Sequence, residues 1–192
     1  PFDRRYTGNS NYARVKGIKG LIGSTLGSIG LGEIGREVVA RARAFEMNVL
    51  YTQRTRLSPV EEHMLGATYA PLEELLATSD FVSIHVPISP ATRSLLDARR
   101  LAMMKPGAIL VNIARAEVVD HDALVDALRS GRLGGFGLDV GYKEPTPADE
   151  PLLKLPNVVI LPHTGPADRH YALMDWEEML IRMWEIMQGT RR

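Results

Sequence analysis

Cysteine is absent from this chain of 192 residues. Its absence excludes disulfides, thiolate zinc sites and a cysteine nucleophile, and it is easiest to reconcile with a reducing compartment. We therefore expect a cytoplasmic protein, and no metal site is predicted.

An excess of charge is also lacking, because lysine plus arginine number 23 and aspartate plus glutamate number 23. No overall field draws such a chain to nucleic acid or to an anionic membrane. No apolar run is long enough to span a bilayer, and residues 1–20 lack the apolar core of a signal peptide. Neither nucleic acid nor a membrane is expected as a partner.

The most informative stretch begins at Thr25, where a short apolar run leads into the pattern G-x-G-x-x-G and then into an apolar helical face. Gly30 suits a tight turn, Gly32 lets the backbone approach a pyrophosphate, and Gly35 lets the helix pack closely on the strand. Alone this motif is a weak signal, since glycine also punctuates ordinary turns. It predicts cofactor contacts from Gly30, Leu31, Gly32, Glu33, Ile34 and Gly35.

Strands alternate with helices along the rest of the chain. After the strand that begins at Thr25, strands are predicted at 47–52, 67–69, 80–86, 108–113, 135–140 and 158–161. Helices are predicted at 36–45, 59–65, 71–76, 120–129 and 166–188. This alternation predicts an α/β fold with a doubly wound parallel sheet of about seven strands and helices on both faces. Residues 1–20 are expected to be an arm or linker, and residues 21–192 one dinucleotide-binding domain.

Polar, ionisable or backbone-exposing residues follow five of the predicted strands. Ligands of an open parallel sheet bind beyond the carboxyl ends of its strands, so these residues would meet at one edge. Turns alone do not require so many polar residues at one edge. Their clustering therefore supports the interpretation of the glycine motif as a binding turn. The residues concerned lie at 53–56, 85–87, 114–115, 139 and 163.

The residue after the second predicted strand bears on the choice of cofactor. A site that prefers NAD carries an acidic residue about 20 positions after the glycines, and here that position is Gln53. No carboxylate repels a 2′-phosphate, and Arg54, Thr55 and Arg56 could bind one. NADP is therefore favoured and NAD stays possible. The alternative is that this loop is simply basic and solvated.

Together these motifs resemble the D-isomer-specific 2-hydroxyacid dehydrogenases, particularly the glyoxylate and hydroxypyruvate reductase branch. One matching stretch could arise by chance, whereas six in family order are highly specific. The resemblance implies a Rossmann fold and hydride transfer between a nicotinamide cofactor, NADPH being favoured, and a small 2-keto or 2-hydroxy acid such as glyoxylate or hydroxypyruvate. The matching stretches are 30–35, 51–56, 85–87, 111–115, 137–140 with 144–145, and 162–165.

The resemblance also implies a catalytic set of Arg115, Glu144 and His163. His163 would protonate the ketone oxygen, Glu144 would orient the imidazole, and Arg115 would bind the substrate carboxylate and carbonyl. Taken singly, each has an ordinary alternative, such as a surface histidine, a loop residue, or a partner for Glu117. Formate dehydrogenases of similar architecture carry glutamine at the position of Glu144, so glutamate favours a pair of 2-hydroxy and 2-keto acids.

Further cofactor contacts follow from the same resemblance, with Asp139 near the nicotinamide end. Beyond the glycine turn, the predicted cofactor-binding residues are Gln53, Arg54, Thr55, Val86, Pro87, Ile113, Ala114, Arg115, Asp139, His163 and Gly165. His85 faces the same edge, where its backbone is expected to matter more than its ring.

The family builds its substrate domain from segments before and after the cofactor domain, and we expect that domain to be absent from this chain. Cofactor binding without efficient turnover is therefore expected of this polypeptide alone. Apolar residues surround most of the predicted helix 166–188, which favours cover by a lost domain or a second subunit, and a homodimer is expected. The competing interpretation is a nucleotide-sensing interaction module, like the transcriptional corepressors that resemble this family.

Overall fold

The computed structural model describes residues 20–165, 179–181 and 184. Strands and helices alternate through residues 25–160. The strands are β1 Thr25–Ile29, β2 Asn48–Thr52, β3 Thr68–Tyr69, β4 Phe81–Ile84, β5 Ala108–Asn112, β6 Leu133–Leu138 and β7 Val158–Ile160. The helices are α1 Glu33–Ala44, α2 Pro59–Leu65, α3 Leu72–Thr78, α4 Ala98–Met103 and α5 His121–Arg129, with short 3-10 turns at Ala116–Val118 and Pro151–Lys154.

The seven strands form one sheet in the order β3-β2-β1-β4-β5-β6-β7, and every pairing is parallel. The predicted parallel α/β sheet is therefore confirmed. The chain runs outward from β1 to β3 and then returns to place β4 on the other side of β1. This reversal creates a crevice at the carboxyl ends of β1 and β4, the place where such sheets bind ligands.

Helices cover both faces of the sheet. A Cβ on Gly27 would lie 2.5 Å from the Leu75 side chain of α3. The neighbouring Leu26 instead packs in a cluster with Val39 and Ala42 of α1. Because successive strand residues point to opposite faces, α1 and α3 lie on opposite sides of β1. Gly27 is a poor strand former, but a larger residue there would displace α3.

The larger core lies under α3, α4 and α5, against β4, β5 and β6. Leu75, Leu110, Leu124 and Leu133 are completely buried in it. Burial of this kind removes apolar area from water and holds the strand ends in fixed relative positions. The site described below is built on those ends.

Some boundaries differ from the predicted ones. Helix α1 begins at Glu33 rather than at 36, since Gly32 adopts the extended conformation of an N-cap. Strand β4 ends at Ile84 rather than at 86, where the chain turns beside Gly30. Helix α4 was not predicted, because six residues are too few to show a period; Asp97 caps it by accepting the Arg100 N–H at 2.8 Å.

The predicted helix 166–188 and the predicted arm 1–20 lie almost wholly outside the described residues. Residues 179–181 and 184 are helical, and their side chains are exposed. Within the described part of the chain, no helix combines the length and the apolar character needed to cross a bilayer. Nor does that part gather three or more histidine, aspartate or glutamate side chains in a group able to hold a metal ion.

Candidate functional site

The glycine turn between β1 and α1 is closed on its strand side and open at its centre. Gly30 has a φ of 96°, and a Cβ there would lie 2.8 Å from the carbonyl oxygen of His85. A Cβ on Gly35 would lie 2.7 Å from the carbonyl oxygen of Gly30. By contrast, in the part of the chain that the structure describes, no neighbouring atom lies within 4 Å of the Cβ position of Gly32. The backbone at Gly32 can therefore be approached closely from outside.

The N-terminus of α1 opens onto this space. Gly32 is the N-cap, and no side chain caps the helix there. The first N–H groups of a helix have no partner within it, and the helix dipole places positive potential at that end. Leu31 N–H donates instead to Oε1 of Gln53 at 3.2 Å, which ties the turn to the loop after β2. An uncapped and sterically open helix end fits the pyrophosphate of a dinucleotide.

A cleft of about 440 Å³ lies beside the turn, at the carboxyl ends of β1, β2 and β4. Four predicted cofactor-binding residues line it: Gln53, Arg54, Val86 and Pro87. Its other walls were not predicted, and several come from residues 87–95, which have no regular period in sequence. These walls are Ile29, Thr52, Leu72, Ser89, Ala91, Thr92 and Leu95. A mostly apolar cleft with a few polar groups is typical of a small-molecule site.

The two arginines after β2 have different surroundings. Arg54 is exposed, lines the cleft, and forms no hydrogen bond or ion pair with the described residues. Arg56 binds the Glu62 carboxylate through Nε at 2.8 Å and Nη2 at 3.0 Å. Thr55 contributes its carbonyl oxygen, which accepts the Gln53 side-chain amide at 2.7 Å. Of the three predicted phosphate-binding residues, Arg54 is the cation open to the cleft.

His85 follows β4 and contributes its backbone to the packing of the turn. Its ring nitrogens are buried and have no hydrogen-bond partner among residues 20–165 or the other described residues. Burial lowers the pKa of His85 to about 4, so the ring is neutral near pH 7.

The loop after β5 carries Arg115 and is fixed by Asn112, a residue that the sequence reasoning did not select. Asn112 is completely buried; its Nδ2 donates to the Arg115 carbonyl at 2.9 Å, and its Oδ1 accepts the Ala114 N–H at 3.0 Å. Ile113 lies between them and is partly exposed. The available signal was a polar residue at the end of the otherwise apolar run 108–112. Buried polar groups of this kind need partners close by.

His163 and Glu144 meet beyond β7. Their Nδ1 and Oε2 atoms are 3.1 Å apart, and Oε1 of Glu144 accepts the Gly141 N–H at 3.1 Å. The hydrogen bond with His163 is the main cause that lowers the pKa of Glu144, and the nearby positive charge of Arg115 contributes further. The glutamate is therefore an anion near pH 7, able to orient the imidazole through this hydrogen bond.

Asp139 fixes the turn that carries His163. Its two carboxylate oxygens accept the N–H groups of Thr164 and Gly165 at 2.9 and 2.8 Å. Gly165 is tightly enclosed, since a Cβ there would lie 2.7 Å from Oδ2 of Asp139. His163 itself has a φ of 56°, a conformation that a side-chain-bearing residue adopts only when its surroundings impose it. In this structure Asp139 thus acts on the position of the histidine.

Two separate cavities contain part of the predicted set. Gln53, Arg54, Val86 and Pro87 line the cleft beside the glycine turn, while His163 and Glu144 line a second cavity of about 420 Å³. Arg115 and Asp139 line neither cavity and lie after β5 and β6, the strands between the two. The second cavity is completed by Gly141, Pro145, Thr146, Leu153, Ile160, Leu161 and Pro162.

Comparison with sequence families gives one match over most of the chain. Residues 3–165 match the sequence model described as "D-isomer specific 2-hydroxyacid dehydrogenase, NAD binding domain". Glyoxylate reductase of Pyrococcus furiosus is 50% identical over 147 residues, which are 77% of this chain and 43% of that protein. Glyoxylate/hydroxypyruvate reductase B of Pectobacterium carotovorum is 49% identical over 144 residues, 74% of this chain and 45% of that protein. The chain thus spans less than half the length of these curated relatives.

Solved structures with the same fold include a glyoxylate reductase from Paecilomyes thermophila. It is 42% identical with a TM-score of 0.74, over 80% of this chain and 46% of that one. An acyclic imino acid reductase in complex with NADPH and D-Arg is 28% identical with a TM-score of 0.80, over 89% of this chain and 53% of that one. A formate dehydrogenase from Granulicella is 37% identical with a TM-score of 0.76, over 83% of this chain and 46% of that one.

Proposed function

The chain belongs to the D-isomer-specific 2-hydroxyacid dehydrogenase family, and on that premise we propose that it is the cofactor-binding part of an oxidoreductase that reduces small 2-keto acids. Glyoxylate and hydroxypyruvate are the proposed substrates, as the names of the relatives suggest. The proposed dinucleotide-binding unit is residues 21–192, with residues 1–20 as an arm, and the cytoplasm is the proposed location.

The observation that supports this proposal is the contact of 3.1 Å between His163 and Glu144 beyond β7. The bound nicotinamide would supply the hydride. His163 would hold the proton that reaches the carbonyl oxygen, and Glu144 would orient the imidazole. Arg115, held through Asn112, would bind the substrate carboxylate through its guanidinium.

We propose NADP as the preferred cofactor, with NAD as the alternative. Gln53 places no negative charge at the end of β2, so nothing at that position repels a 2′-phosphate. Arg54 offers, at the wall of the cleft, a guanidinium that pairs with none of the described residues. One solved relative, the imino acid reductase, was crystallised with NADPH.

We also propose that the protein forms a homodimer. Val159 of the edge strand β7 is exposed, as are the apolar side chains of the helical residues 179–181 and 184. Exposed apolar side chains at a sheet edge favour association, and a second copy would remove them from water.

The proposed function predicts that, in the longer enzyme of which this chain would be the cofactor-binding part, His163→Ala abolishes reduction of glyoxylate and hydroxypyruvate while NADPH binding persists. The matched control is His63→Ala, which changes an exposed histidine in α2 away from the strand ends. Turnover is followed as loss of NADPH absorbance, binding by calorimetry, and association by sedimentation. If His163→Ala turns over substrate as fast as His63→Ala and the natural enzyme do, the assigned role of His163 is contradicted.

The same experiment tests the competing interpretation, a nucleotide-sensing interaction module. Such a module would bind NADPH and change its association state with the cofactor. Neither the longer natural protein nor its His163→Ala variant would then reduce a 2-keto acid. That outcome would rule out the proposed reductase and favour the nucleotide-sensing module.

A further inference from the structure

The first turn of α2 contributes a glutamate that is fully engaged by groups around the loop after β2. Glu62 accepts two hydrogen bonds from Arg56, and its Oε1 also accepts the Tyr51 hydroxyl at 2.7 Å. Tyr51 is completely buried, and its hydroxyl accepts the Leu57 N–H at 2.9 Å. Glu62 therefore connects the buried end of β2 to the far end of the loop. Its own side chain is only 14% exposed.

This network keeps Arg56 away from the cleft. The Arg56 guanidinium lies over the Tyr69 ring on β3, 5.3 Å from the ring centroid, and Arg56 does not line the cleft. Two hydrogen bonds to one carboxylate form a charge-assisted pair, which holds a guanidinium more firmly than a neutral acceptor does. The hydrogen bonds from Arg56 and Tyr51 lower the pKa of Glu62 to about 2, so the carboxylate is charged throughout the neutral range.

We propose that Glu62 is a selectivity-determining residue that acts through Arg56. By holding Arg56 on the β3 side, Glu62 leaves Arg54 as the arginine that meets the 2′-phosphate, and so limits the preference for NADPH over NADH. This inference rests on the proposed NADP site. It concerns a glutamate outside the cleft, which motif reasoning did not select.

The expected effect depends on the charge of Arg56 and on the distance that its side chain can span. Residues 54 and 56 are separated by at most about 7 Å of extended chain, so a released Arg56 would share the surroundings of Arg54. Replacing the carboxylate by an amide removes one negative charge and frees one positive charge near the phosphate. With the released guanidinium about 5 Å from a doubly charged phosphate in water, the added attraction after screening by salt strengthens binding about five-fold. NADH lacks that phosphate and gains nothing.

The test is calorimetric titration of the full chain with NADPH and NADH, for the natural protein and for Glu62→Gln. Glutamine keeps the size of the side chain and an acceptor for the Tyr51 hydroxyl. We expect the Kd for NADPH to fall about five-fold and the Kd for NADH to change less than about two-fold. Glu62→Asp keeps the negative charge, so its preference for NADPH over NADH should stay close to that of the natural protein.

A double variant tests whether Arg56 carries the effect. Arg56→Gln alone should change the NADPH affinity little, because Arg56 is already held by Glu62. In Glu62→Gln the same substitution should abolish the gain. The matched control is Glu37→Gln, which breaks the exposed pair with Arg41 on α1 and should leave both affinities unchanged.

The inference is overturned if Glu62→Gln leaves the ratio of the two affinities unchanged or weakens both cofactors equally. A gain that persists without Arg56 would overturn it as well. Failure of the proposed cofactor gives a different pattern. If Arg54→Ala does not weaken NADPH binding, the NADP proposal fails whatever Glu62 does, and if the natural protein binds neither cofactor, both proposals fail.

Discussion

At the scale of single residues, Asn112 is the side chain whose removal should be most informative. Its buried amide makes two hydrogen bonds, with the Ala114 N–H and the Arg115 carbonyl. Asn112→Ala removes both and should lower the free energy of unfolding by about 2 kcal/mol. Denaturant unfolding measures this quantity.

The control for this prediction is Asn48→Ala. Asn48 is exposed and its side chain donates one hydrogen bond, to the Gly23 carbonyl at 3.1 Å. That loss should cost less than about 1 kcal/mol. If the two substitutions have equal effects, the described role of Asn112 in holding the Arg115 loop is wrong.

Some residue-scale features could be predicted from sequence and others could not. Glycine spacing pointed to Gly30 and Gly35, because only the backbone geometry of a turn and a close approach require glycine there. The contact of Glu62 with Arg56 depends on how α2 packs beside β2, which no local pattern records. Asn112 was visible as a polar residue in an apolar strand, but its two partners become known only once the next loop is folded.

At the scale of elements, two glycine substitutions in the unit of strand β1, turn and helix α1 should have different effects. One should lower the stability of the fold, and the other should weaken cofactor binding. Gly35→Ala forces a methyl group against the Gly30 carbonyl and should lower the free energy of unfolding by about 1 to 3 kcal/mol. Gly32→Ala meets open space and should cost less than about 1 kcal/mol. The same Gly32→Ala should weaken NADPH at least about ten-fold, because its methyl group obstructs the approach of a pyrophosphate to the backbone.

Unfolding and calorimetric titration of both variants check this prediction. Equal NADPH affinity in Gly32→Ala and the natural protein would show that the dinucleotide does not lie on the turn. A fully stable Gly35→Ala would instead contradict the described packing of α1 on the strand.

The long elements were predictable because their apolar periods extend over several turns or residues. Helix α4, with six residues, is held by its cap at Asp97 and by packing of Leu101, which local pattern alone does not reveal.

At the scale of the whole molecule, the order of the strands decides which loops become neighbours. The alternation of strands and helices predicted a parallel sheet, and the glycine motif predicted which edge of that sheet binds the ligand. The division of that edge into two cavities was not predicted, because it depends on side chains from residues 87–95 and 141–162 that follow no period. The central claim is that one dinucleotide lies along the carboxyl ends of these strands.

The most direct test is to follow the backbone amide resonances of the full chain while NADPH is added. We predict that the resonances of Gly32, Val86 and Gly165 shift, since these residues lie at the carboxyl edge. Gly107 and Gly131 precede β5 and β6 at the opposite edge, and their resonances should stay in place. Shifts confined to Gly107 and Gly131, or an unshifted Gly32 in a protein saturated with NADPH, would contradict the account.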